Sequence, residues 1–112
     1  MKTEEINSLR TAWEDHFERR FPSTTPGETN ETHDIRTRLM TYDGYIAGLV
    51  DSLLRGDNIL DDSLYYRTDL ADRLKAIVNN EGDNSTGKLA KDYLNYLDAL
   101  HNLVSLARKT LS

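Results

Sequence analysis

The chain has 112 residues, 14 of them basic and 19 acidic, for a net charge of −5, and it contains no cysteine. That length is one domain's worth, and it buries roughly two-thirds of the unfolded surface, so neither a disulfide nor a structural metal is needed to hold a core together. The missing thiols exclude disulfides, thiolate nucleophiles and cysteine-ligated zinc or iron–sulfur centres, and the scattered bases give no concentrated surface for a phosphate backbone, so nucleic acid is not an expected partner.

The start, MKTEEINSLRTAWEDHF, has no apolar run behind a basic end. No secretion signal is therefore expected. Nor does any stretch approach the ~18 consecutive apolar residues of a membrane span. The expected location is the cytoplasm, with no membrane partner.

The first helix is predicted over residues 3–21, with Thr3 as cap and Glu4 and Glu5 in the first turn, where acids suit the helix dipole. Ile6, Leu9, Trp13, Phe17 and Phe21 form its expected core face. It stops before Pro22. Residues 22–32, PSTTPGETNET, hold two prolines, a glycine and four threonines, and read as the longest loop, crossing an end of the bundle.

A Thr32 cap opens the second predicted helix, 32–55, whose apolar face is Ile35, Leu39, Tyr42, Ile46, Leu49, Val50 and Leu53. Gly44 and Gly48 lie four apart inside it, each costing up to ~1 kcal/mol against alanine. Gly56 ends it. The third segment, 61–79, is the least regular, because one face through Leu60, Leu64, Ala71, Leu74 and Val78 puts Arg67 at its centre. An unpaired charge there is costly. The segment is therefore expected to break near 65–68, with its main helix capped by Thr68 or Asp69.

The turn NNEGDNSTGK leads to the fourth helix, 86–111, capped by Ser85 or Thr86. Leu89, Tyr93, Leu97, Leu100, Val104, Ala107 and Leu111 recur at three- and four-residue steps. Tyr96 and Leu103 widen that face, and Leu94 and Leu106 fall on opposite flanks. A surface helix needs an apolar stripe of only about 100°, so this helix has contacts to make on three sides. Strand signals are weak throughout. The expected fold is all-α: a single domain spanning 1–112, a compact four-helix bundle, mostly antiparallel, with the C-terminal helix central or at a dimer contact.

Three patterns bear on function. Gly82-Asp83-Asn84-Ser85-Thr86-Gly87-Lys88 matches the G-x-x-x-x-G-K core of a phosphate-binding loop. Position 89 is Leu instead of the hydroxyl that holds Mg²⁺, and no strand precedes it, so helix punctuation is the preferred reading. Phosphate binding through Gly82, Gly87 and Lys88 is the alternative.

The second pattern is acidic. Asp51, Asp57, Asp61, Asp62, Asp69 and Asp72 fall within twenty-two residues, offset by Arg55 and Arg67. Hard cations take several carboxylates, which makes a carboxylate metal site in the bundle a further alternative, although the EF-hand spacing fails. Acids and the adjacent Tyr65 and Tyr66 also suit electrostatic docking of a basic partner.

The third pattern is what the histidines lack. His16, His33 and His101 show no helical metal-ligand spacing and read as surface or boundary residues. No metal ligand set, catalytic constellation or cofactor motif is assembled by spacing. The functional expectation is a small non-catalytic regulator, inhibitor or immunity-type factor that binds another protein, one with a basic patch, through Asp57, Asp61, Asp62, Tyr65, Tyr66, Arg67 and Asp69. A homodimer is the other partner considered.

Overall fold

A computed structural model of the protein describes residues 3–24, 26–57 and 66–111. Four α-helices and no strand occur among them: α1 (Thr3–Glu18), α2 (Asn30–Leu54), α3 (Thr68–Glu81) and α4 (Ser85–Leu111). The all-α, four-helix class expected from the periodicity is the one observed.

The helix ends show how the local chemistry acts. α1 ends at Glu18, three residues earlier than expected, where Arg19 N donates to His16 O at 3.0 Å in a tightened last turn. α2 begins two residues earlier than expected, and its cap is Thr29, not Thr32. Thr29 N donates to Thr32 Oγ1 at 2.6 Å and Thr32 N to Thr29 Oγ1 at 3.1 Å, the reciprocal pairing of a capping box with threonine at both ends.

The other end of α2 is closed by Gly56. At φ +90°, it donates to Leu53 O while Asp57 N donates to Ser52 O. Those two bonds are the Schellman pattern, which needs a left-handed residue at the glycine. Arg55-Gly56-Asp57 is thus a helix stop.

α3 starts at Thr68, inside the expected break, and runs on to Glu81; expected helix before that break, 61–65, lies outside the described residues. Its buried face is Leu70, Leu74 and Ile77, whereas Ala71 and Val78 are half-buried. The face through Leu60, Leu64, Ala71 and Val78 is that of an unbroken helix, which the expected break had already set aside. With the helix starting at 68 that phase is lost, and Leu70 and Ile77 turn inward. The cap of α4 is Asn84 in place of Ser85 or Thr86: its Oδ1 accepts from Gly87 N at 3.0 Å.

Two compact units are built on these helices. The first takes α1, the part of α2 from Tyr42 and the part of α4 from Ala99. Leu9, Tyr42, Ile46, Val50, Leu100, Leu103, Val104 and Ala107 supply its buried apolar side chains. The second takes residues from Phe21 to Thr41, α3 from its start, and α4 up to Asp98. Ile35, Leu39, Leu70, Leu74, Leu89, Tyr93 and Leu97 are buried there. Fully burying a Leu or Ile stabilises by about 1.5–3 kcal/mol, so α4, which feeds both sets, is the central element expected of its apolar excess. Its flank residues Leu94 and Leu106 are each half-buried.

In the second unit the long loop is fastened. Phe21 packs against Tyr96 at 4.8 Å and Tyr93 at 6.0 Å between ring centroids, with the Arg36 guanidinium 4.7 Å from its own. Arg36 also donates to Pro22 O at 2.7 Å, and Thr86 Oγ1 donates to Gly27 O at 3.0 Å. Phe21, expected in the core, is half-buried, and it packs on these rings from the loop instead of from α1.

Candidate functional site

Of the seven residues expected to bind a partner, Asp61, Asp62 and Tyr65 lie outside the described residues. Asp57 and Tyr66 belong to the first unit, Arg67 and Asp69 to the second. Asp57 is exposed immediately after the α2 stop. Tyr66 keeps 38% of its surface in solvent. Its ring stands edge-on to His101, 4.8 Å between centroids, and the Arg108 guanidinium lies 5.2 Å from its own centroid. Both residues come from α4, so a rigid helix holds the tyrosine in place. Tyr42 packs on His101 from α2, with centroids 6.3 Å apart.

Arg67 precedes α3, so its guanidinium never has to enter that helix's apolar face. It donates to both carboxylate oxygens of Asp69, at 2.9 and 2.8 Å. Those bonds hold the Asp69 carboxyl down to about 2, against a usual value of 3.8. A charge-assisted bidentate pair of this kind fixes both side chains. On the same unit Asp34 bridges Arg73 (2.9 Å) and Arg38 (3.1 Å), and chiefly the Arg73 hydrogen bond lowers its carboxyl.

The Gly82–Lys88 stretch is the junction of α3 and α4. Gly82 is in right-handed helical backbone. A Cβ at Gly87 would overlap the Glu81 carbonyl oxygen and lie 2.6 Å from its carbon. Gly87 is glycine because α4 begins pressed against the end of α3. Its N–H is given to Asn84 Oδ1, Lys88 N to Asn84 O, and the Asn84 amide side chain to the Glu81 carboxylate. Amides that would cradle a phosphate instead cap their own helix, and Lys88 is exposed.

The first unit also holds features that sequence spacing could not reveal. His16, expected at a boundary, is only 6% exposed, and its Nε2 donates to Asp43 Oδ1 at 2.6 Å. The pair joins α1 to α2 across 27 residues of sequence, a separation with no local signature. Next to it a groove of about 530 Å³ runs between α1 and α4, lined by Ser8, Thr11, Ala12, Asp15 and Arg19 and by Ala99, Asn102 and Leu106.

Phe17, expected in the core, is 75% exposed. His16 takes the inward position at the end of α1, which turns the next residue outward. Trp13 lies against Phe17, centroids 5.8 Å apart in an edge contact. No signal in the sequence distinguished Phe17 from buried Leu9 or half-buried Ile6 and Trp13 on the same helical face.

Among the described residues no three His, Asp or Glu side chains gather as metal ligands, and no helix is long and apolar enough to cross a membrane. No protein-family model, curated protein sequence or solved structure matches the chain.

Proposed function

We propose that this protein is a non-catalytic, cytoplasmic accessory or regulatory factor that acts by binding another protein. The observation that carries the reading is Tyr66, a half-exposed aromatic ring held by His101 and Arg108. An aromatic side chain fixed before association loses little entropy on binding, and tyrosine is enriched where interfaces bury their anchors. The acids Asp57, Asp61 and Asp62, close by in sequence, supply a field that attracts a basic partner and speeds its docking. Asp69 adds less to that field, because Arg67 already engages its charge.

Affinity capture from native lysate tests the reading, comparing the natural chain with an Asp61→Lys, Asp62→Lys double variant and with Tyr66→Ala. A protein held by the natural chain, released by added salt and lost from both variants is the expected outcome. Identical captured proteins from all three would sink the proposal.

A further inference from the structure

One face of α1 is not used up within the first unit. Ile6, Arg10, Trp13 and Phe17 follow one another at four-, three- and four-residue steps and so share a helical face. Ile6 and Trp13 are half-buried, Arg10 is exposed, and Phe17 is 75% exposed. Glu14, also exposed, borders the stripe one turn after Arg10.

We infer that this face binds a second copy of the chain, with α1 running antiparallel to the partner's α1 about a two-fold axis level with residues 11 and 12. The order of residues along the stripe carries the inference. At about 1.5 Å per residue, Ile6 and Phe17 lie equally far from that axis on opposite sides, so Ile6 meets the partner's Phe17 and Phe17 meets the partner's Ile6. Arg10 comes level with the partner's Trp13, within reach of a cation–π contact, and less than half a turn from the partner's Glu14. A two-fold axis makes every contact twice. The face is complementary to itself in charge and in apolar content, while a uniformly acidic or basic stripe would repel its own copy.

The contact is small. From Ile6 to Phe17 it spans roughly 16 Å of helix, short of what an interface of about 1,200–2,000 Å² requires. A weak, concentration-dependent dimer follows, with a Kd on the order of 100 µM. The inference does not rest on the reading of Tyr66, which lies on other elements of the chain.

Sedimentation equilibrium from about 10 µM to about 1 mM brackets that Kd. The natural chain shifts from monomer toward dimer over this range, and Phe17→Ser remains monomeric while keeping its helical circular dichroism, since the residue it replaces is exposed. A charge test then fixes the register. Arg10→Glu alone sets acid against acid and Glu14→Arg alone sets base against base, so each variant by itself is monomeric. Mixed together, they pair as a heterodimer, because the acid introduced into one then faces the base introduced into the other. The second, symmetry-related contact keeps its natural Arg10 and Glu14. Three results would each overturn the inference: a natural chain still monomeric at the highest concentration, a dimer indifferent to Phe17→Ser, or a mixture that fails to associate.

Discussion

Gly87 and Gly44 are both helical glycines, and they predict opposite responses to the same added methyl group. At Gly87 a Cβ would press on Glu81 backbone atoms, which cannot move without separating α3 from α4. Overpacking of this sort typically costs 1–3 kcal/mol, so Gly87→Ala is expected to lower stability by about 2 kcal/mol in urea melts. At Gly44, and equally at Gly48, a Cβ meets nothing within 4 Å. Alanine there removes only the entropic cost of glycine in a helix, and Gly44→Ala should stabilise by about 0.5–1 kcal/mol. A destabilised Gly44→Ala would show that some contact uses that bare backbone.

Asp69 gives the molecule an acid-side dependence. Its carboxyl is held at about 2 in the folded chain, against 3.8 ordinarily, chiefly by the Arg67 hydrogen bonds. A depressed carboxyl contributes stability that is present above the unfolded value, near 4, and is lost as pH falls through about 2. The side chain is 59% exposed, so screening reduces the contribution to about 1 kcal/mol or less. Asp69→Asn is expected to be less stable than the natural chain at pH 7 by that amount, with the difference closing by pH 2. Parallel stability curves across that window would remove the Arg67 pair from the account.

At the scale of elements, α1 depends on contacts made late in its length. Its only fully buried apolar residue is Leu9, and His16 is its other buried side chain. The His16–Asp43 bond therefore ties the last turn of α1 to α2 in a way the apolar face alone does not. Asp43→Ala removes the acceptor from an imidazole that is only 6% exposed. Hydrogen bonds to charged groups contribute about 1.5–3 kcal/mol, and a loss in that range is expected. Urea melts should register that loss, and an unchanged stability would remove the His16–Asp43 bond from the account.

The caps at this scale were only partly legible. The sequence placed a glycine stop at Gly56 and caps at Thr32, at Thr68 or Asp69, and at Ser85 or Thr86. The stop fell where expected, whereas α3 is capped at Arg67 with no side-chain cap bond, because Thr68 and Asp69 already lie inside the helix. Thr29 and Asn84 took the starting roles instead of Thr32 and Ser85, because each expected cap had an equally good capping residue one to three positions before it. Local composition cannot rank two such candidates; the tertiary anchors can. Pro22 and Gly27 are held by Arg36 and Thr86, and those ties fix where the loop ends and α2 begins.

At the scale of the whole molecule, neither compact unit is a continuous piece of chain. Each is assembled from separated segments, and α2 and α4 each contribute to both. Opening one unit removes the support of helices that the other needs, so cooperative unfolding is expected. Trp13 is the only tryptophan and lies in the first unit, so its fluorescence follows that unit alone, while far-ultraviolet circular dichroism follows all four helices. The two melting curves should coincide. A fluorescence midpoint several degrees below the dichroism midpoint would show that the first unit opens on its own.

An all-α chain, four helices, the central position of α4, the stop at Gly56 and a helix starting near Thr68 were all legible in the order of residues. All of these follow from residue spacing and turn chemistry within a few positions, which is information the chain carries locally. What each side chain meets came from the folded arrangement. It set Phe17 outward and His16 inward on Asp43, brought Leu70 and Ile77 into the core in place of Ala71 and Val78, pressed Gly87 onto Glu81, and held Tyr66 against His101 and Arg108. Spacing along a helix defines a face but not which edge of that face is covered, because coverage depends on segments far away in sequence.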